Sequence, residues 1–246
     1  MIDIKNLTIS VEEKKILKGV NLTIAEGETV VLFGPNGSGK TSLLKTIMGM
    51  PQYKVESGSI IFRGEDIAKR GLDERARLGI GMVYQNPPAV RGVRLKDVLR
   101  ICMEKSGAYR EERMNESAEK LNLSDFLDRD INLGFSGGEI KRSELLQLFA
   151  QNPKFVMLDE PDSGVDLVNI NLVGTVINEL LEKNKRKDRR TKAGLIITHA
   201  GYILDYVNAD RAYVILDGTI TCSGNPGDVL EDIRTKGFKG CMQCRK

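Results

Sequence analysis

Gly34-Pro35-Asn36-Gly37-Ser38-Gly39-Lys40-Thr41-Ser42 meets the full Gly-x-x-x-x-Gly-Lys-[Ser/Thr] pattern of a phosphate-binding P-loop. Its flanks supply the context that the pattern needs. Thr29-Val30-Val31-Leu32-Phe33 is β-branched and apolar like a buried strand, and Ser42 to Met48 continues with helical spacing. The glycines let the backbone turn tightly and aim successive N–H groups at phosphate oxygens, and the helix start adds its positive dipole end. Lys40 is the point charge for the β- and γ-phosphates of a nucleoside triphosphate, and Thr41 the hydroxyl for Mg²⁺.

Composition excludes several classes. The chain has 246 residues, 41% hydrophobic and 29% charged, with a formal net charge of +3. That is ordinary for a globular protein with a core, and carries no global field demanding nucleic acid or an anionic membrane. No charge-free apolar run reaches the ~18 residues of a membrane span, so direct membrane insertion is not expected. Met1-Ile2-Asp3-Ile4-Lys5 opens straight into strand-like alternation without a signal-type apolar region, which predicts a cytoplasmic protein. Cys102, Cys222, Cys241 and Cys244 are read as reduced thiols.

Along the chain, alternation over Met1 to Ile24 predicts edge strands of a half-buried antiparallel sheet, and Gly58 to Ile67 a further strand pair. Arg70 to Arg77 reads as a polar surface helix, and Gly79 to Gln85 as a buried strand stopped by Asn86-Pro87-Pro88. Leu95 to Leu127 has helical periodicity and predicts a helical subdomain over 86–135. It interrupts a catalytic α/β core of 1–85 and 136–246. Leu133 to Glu139 reads as a flexible loop leading to a helix over Ile140 to Gln151. Asp217-Gly218 between two alternating runs predicts a hairpin.

Phe155-Val156-Met157-Leu158 is an apolar strand ending in Asp159 and Glu160, and Leu195-Ile196-Ile197-Thr198 leads to His199, the single histidine. Carboxylates at the C-terminal end of a parallel strand face the crevice where ligands bind. Asp159 is the candidate second magnesium ligand, and Glu160 the candidate to polarise an attacking water.

These residues carry a resemblance. Gly34 to Ser42, Gln85, Phe135-Ser136-Gly137-Gly138-Glu139, Leu158-Asp159-Glu160-Pro161, Ser163-Gly164-Val165-Asp166 and His199 follow the order of the ABC ATPase nucleotide-binding domain, across almost the whole chain. The resemblance implies a P-loop α/β core with antiparallel β and helical subdomains, forming a single domain over 1–246. It also implies ATP and Mg²⁺ as ligands, and a head-to-tail homodimer formed on ATP binding. Ser136, Gly137 and Gly138 of one copy would then meet the γ-phosphate held by the other. Gln85 would contact magnesium and report to a partner, Asp166 would communicate across the dimer, and His199 would touch the γ-phosphate. ATP over GTP rests on this resemblance alone, because Met1 to Leu32 contains no aromatic side chain to stack on a base.

Finer details resemble one branch. Glu139 stands where most transporter ATPases have glutamine, Asp162 where they have Thr or Ser, and the adenine stacker is missing, as in the SufC ATPases of SUF iron–sulfur cluster assembly. That branch implies a SufB-like or SufB–SufD scaffold as partner. The alternative is the ATPase subunit of a membrane transporter. The Cys241/Cys244 pair supplies half a tetrahedral metal site, for which free thiols are the plainer reading. The basic run from Lys183 to Lys192 reads as a solvated helix end rather than a nucleic-acid surface.

Overall fold

A computed structural model describes residues 1–165, 167–198 and 201–240. Strands β1 (Ile2–Val11), β2 (Lys14–Ile24), β4 (Lys54–Phe62) and β5 (Glu65–Asp66) form an antiparallel sheet in the order β2-β1-β4-β5. A six-stranded sheet follows the order β10-β9-β3-β8-β7-β6, from β3 (Thr29–Phe33), β6 (Ile80–Val83), β7 (Phe155–Asp159), β8 (Ala193–Ile197), β9 (Arg211–Leu216) and β10 (Thr219–Gly224). The first twenty-four residues do form antiparallel strands, but β1 lies inside its sheet, between β2 and β4, and is not an edge. Ile2, Ile4, Leu7 and Ile9 of β1 are all buried in the core beneath the sheet.

The six-stranded sheet is covered on both faces, and its strands alternate accordingly. Val30 and Leu32 join the core shared with the antiparallel sheet and helix α1 (Lys40–Met48), whereas Val31 and Phe33 face the opposite way. In β7, Phe155 and Met157 join the first core. Val156 and Leu158 pack under α3 (Leu95–Lys105), α4 (Glu111–Lys120), α5 (Gly137–Gln151) and α6 (Leu167–Leu180). Each fully buried Leu, Ile or Phe of this kind stabilises the fold by about 1.5–3 kcal/mol. Leu95, Leu99 and Met103 of α3 share one apolar cluster with Leu145 and Leu146 of α5, so the helical segment is anchored on the core.

Two local readings change. The short helix α2 (Leu72–Arg77) carries surface charges, but Arg75 is buried. Its guanidinium donates to Thr46 O at 2.7 Å and Ile47 O at 2.9 Å, closing the C-terminal end of α1. Only the first part of Leu133 to Glu139 is loop: α5 starts at Gly137 with Ser136 as its N-cap. Ser136 N donates to Glu139 Oε2 at 2.7 Å and Glu139 N to Ser136 Oγ at 3.4 Å, a reciprocal capping box. Asp217 (φ 48) and Gly218 (φ 79) form the expected tight hairpin between β9 and β10. Helix α7 (Pro226–Gly240) closes the described chain and is interrupted at Gly237.

Candidate active site

Parallel register gathers the candidate residues. Leu32 of β3 and Asp159 of β7 both pair with Ile197 of β8, and Val83 of β6 pairs with Leu158. Four neighbouring strands therefore end at one rim, and their following loops are the P-loop, Tyr84-Gln85, Glu160-Pro161 and Thr198. This rim is where an open α/β sheet binds ligands.

Within the loop, the glycines are required by crowding and conformation. A Cβ on Gly34 would lie 2.4 Å from Ile215 O and 2.6 Å from Ser38 Oγ, and Gly39 (φ 103) is the left-handed N-cap of α1 without a capping side chain. Lys40 is buried and folds back, donating from Nζ to Gly34 O at 2.8 Å and Pro35 O at 3.0 Å. Burial pulls its pKa down, and the charges of Glu160 and Asp159 oppose that pull. Both carboxylates are thus close enough to the ammonium for a ligand there to feel all three charges.

Asp159 is buried, and burial raises its carboxyl pKa; the hydrogen bond from Thr41 Oγ1, at 3.3 Å, opposes the shift. Its Oδ2 has no hydrogen-bond partner, and neither does the buried Ser38 Oγ. An orphaned carboxylate oxygen costs free energy unless something fills its place. Among the described residues, no group of three or more His, Cys, Asp or Glu converges on a metal. A single carboxylate beside a hydroxyl and a phosphate cradle suits magnesium, which keeps several waters and takes the rest of its oxygens from substrate. The residues present therefore fit Mg²⁺, which Thr41, Asp159 and the amide oxygen of Gln85 would hold. Bound there, the ion neutralises phosphate charge as it develops.

Glu160 sits at φ 50, a strained conformation for a non-glycine residue, fixed by its N–H donating to Ile197 O at 3.0 Å. Its Oε2 accepts from Gln85 Nε2 at 2.7 Å. The Gln85 loop is itself held by Lys141, whose buried Nζ donates to Tyr84 O at 2.8 Å and Gln85 O at 3.1 Å. Sequence reasoning passed over Lys141. Followed directly by Arg142, Ser143 and Glu144 near the start of a helix, it carries no pattern that marks it as buried. Asp162 also acquires a contact, accepting at Oδ2 from Thr198 Oγ1 at 2.8 Å, so the segment after Glu160 is tied to the end of β8.

Ser136 and Gly137 are exposed and Gly138 half-buried, and among the described residues none hydrogen-bonds to the P-loop. Phe135, just before them, is anchored against Phe126 at 4.9 Å with the Arg129 guanidinium over its ring. Asp166, His199, Cys241 and Cys244 lie outside the described residues.

Four parallel strands delivering a phosphate cradle and two adjacent carboxylates to one rim make this a P-loop nucleoside triphosphatase. A family model described as ABC transporter matches residues 17–163. The chain is 36% identical over 252 residues to a probable ABC transporter ATP-binding protein of Streptococcus pyogenes serotype M3, covering 99% of this chain and 95% of that one. It is 39% identical over 255 residues to a probable ATP-dependent transporter of Synechocystis sp., covering 97% and 94%. Among solved structures, it resembles a dimeric ATP-binding cassette in a post-hydrolysis state bound to ADP and Pi. The TM-score is 0.75 and the identity 25%, over 92% of this chain and 98% of that one. The chain belongs to the ABC transporter ATPase family: it is an ATP-binding cassette that hydrolyses ATP with Mg²⁺.

Proposed function

We propose that this cassette is the ATPase of a SufC-like iron–sulfur cluster assembly complex, driving conformational change in a SufB-like or SufB–SufD scaffold. The observation that carries this reading is the Asp162–Thr198 hydrogen bond, because it gives the aspartate that departs from the transporter pattern a structural task beside Glu160.

In this reading ATP brings two copies together head to tail. The exposed Ser136 and Gly137 and the half-buried Gly138 of one copy complete the phosphate site of the other; within one chain the hydrogen bonds of Ser136 and Gly138 are local ones at the start of α5. Lys40 exchanges the carbonyls of Gly34 and Pro35 for phosphate oxygens. Glu160 accepts the proton of the attacking water, His199 contacts the γ-phosphate, and Asp166 spans the dimer. The motion passes to the scaffold through the Gln85 loop and the helices of 86–135. In this reading the protein acts in the cytoplasm, on a scaffold that sits outside the lipid bilayer. Among the described residues no helix is long and apolar enough to cross a membrane.

A second reading is the ATPase subunit of a membrane transporter, favoured by the names of the two relatives, a probable ABC transporter ATP-binding protein and a probable ATP-dependent transporter. Affinity capture of the tagged protein without detergent, followed by an iron assay after anaerobic reconstitution, separates the two. The assembly role requires a soluble SufB-like partner whose cluster loading fails in Lys40→Ala. Recovery of an integral membrane partner only in detergent establishes transport instead.

A further inference from the structure

The turn that carries Glu160 is tied to β8 at two successive points. Asp159 is the last residue of β7 in register with β8, opposite Ile197. Beyond that pair the two chains stay in contact: Glu160 N donates to Ile197 O at 3.0 Å, and Thr198 Oγ1 donates to Asp162 Oδ2 at 2.8 Å. Between the two ties the backbone reverses, with Ser163 N donating to Glu160 O at 3.1 Å across the buried Pro161. Glu160 itself stands at φ 50, and a strained conformation of this kind persists only where its surroundings over-determine it. Thr198 is built to hold the second tie. It is fully buried, and its hydroxyl is engaged on both sides, accepting from Gly201 N at 3.1 Å while donating its one proton to Asp162.

We propose that Asp162 is a positioning residue for Glu160: by accepting from Thr198 it pins the turn to β8 and keeps Glu160 in the left-handed conformation from which its carboxylate meets Gln85 Nε2. The argument is geometric. The N–H of Glu160 anchors the chain before the bend and the Asp162 carboxylate anchors it after, so the strained dihedral is held from both sides. Released at Asp162, the backbone can relax toward the ordinary regions for an L residue, and that rotation carries the Glu160 side chain with it. The bond to Gln85 is made by the end of that side chain, so it is lost or lengthened first. A misplacement of ~1 Å in a reacting geometry costs on the order of 10²-fold in rate, whereas the phosphate cradle, built on β3 and α1, keeps its shape. Removing the aspartate therefore acts on turnover and spares nucleotide binding.

This inference rests on Glu160 being the base, as proposed above, and not on the identity of the partner. The test is steady-state ATP hydrolysis by the full chain and its variants, well below their melting temperatures, arranged as a double-mutant cycle. Asp162→Ala should lower kcat by about 10–10²-fold and leave KM for ATP within about threefold of native. Asp162→Asn keeps an acceptor oxygen and should recover most of the rate. Thr198→Val should be slow as well, and adding Asp162→Ala to it should cost nothing further, because both substitutions remove the same bond. A native rate in Asp162→Ala, a KM that rises in step with the loss of kcat, no recovery in Asp162→Asn, or losses that multiply in the double variant each overturn the proposal. Glu160→Gln tests the premise separately. A native rate there would remove the base assignment and this inference with it, while a slow Glu160→Gln beside a native-rate Asp162→Ala would remove this inference alone.

Discussion

Gln85 Nε2 donates to Glu160 Oε2 at 2.7 Å, joining the end of β6 to the end of β7 across the catalytic rim. The bond fixes the orientation of the carboxylate that, in the proposed mechanism, accepts a proton from the attacking water. Glu160→Gln should slow ATP turnover by ~10²–10⁴ while preserving ATP binding, and a dimer should accumulate on size exclusion with ATP. Gln85→Leu should lower turnover by a smaller factor, with nucleotide affinity changed by only a few-fold, because the phosphate cradle is untouched. Loss of ATP binding in either variant would move the base elsewhere.

Lys40 holds two P-loop carbonyls at 2.8 and 3.0 Å. Removing it takes away both the charge for the phosphates and the brace of the loop. Lys40→Ala should abolish turnover and weaken ATP binding in a fluorescent-nucleotide titration. Full residual activity would refute the assignment of the loop as the catalytic phosphate site.

Much of this was legible in the chain. The P-loop and the Asp159-Glu160 pair are local patterns of spacing on strands whose apolar runs announce burial, and the parallel register then brings them together. What escaped was long-range or reciprocal. The capping box at Ser136 needs a side chain and a backbone amide to answer each other, and three glycine-rich positions disguised a helix start as a loop. Lys141 and Arg75 are buried charges whose partners are main-chain carbonyls, 56–57 residues away for Lys141 and, for two of the four held by Arg75, 28–29 residues away. A carbonyl leaves no trace in residue type, so such contacts are invisible to pattern reading.

Lys141 gives that point a measurable form. Hydrogen bonds from charged groups contribute about 1.5–3 kcal/mol each, and two of them fix the Tyr84-Gln85 carbonyls. Lys141→Met keeps the aliphatic volume, so it should lower Tm and turnover together while leaving nucleotide affinity near the native value. A loss of turnover at unchanged Tm would mean that Lys141 acts directly on the reaction rather than by holding the Gln85 loop.

Glu144 carries a prediction with a defined sign. Burial pushes its carboxyl pKa up from 4.5 to about 7, against the opposing hydrogen bond from Tyr84 N and the charge of Lys141. An acid whose folded pKa is raised binds more protons in the folded chain than in the unfolded one between those two values. Stability on this account is greatest below pH 4.5, falls as pH rises through the window, and is lowest above pH 7, by on the order of 3 kcal/mol. Glu144→Gln removes the ionisation but keeps the acceptor for Tyr84 N. The variant should therefore melt several degrees above the native chain at pH 8, and the gap should close near pH 5, where native Glu144 is protonated. Thermal denaturation at both pH values reads this directly. A difference of the same size at both would show that packing, and not the buried charge, governs this position.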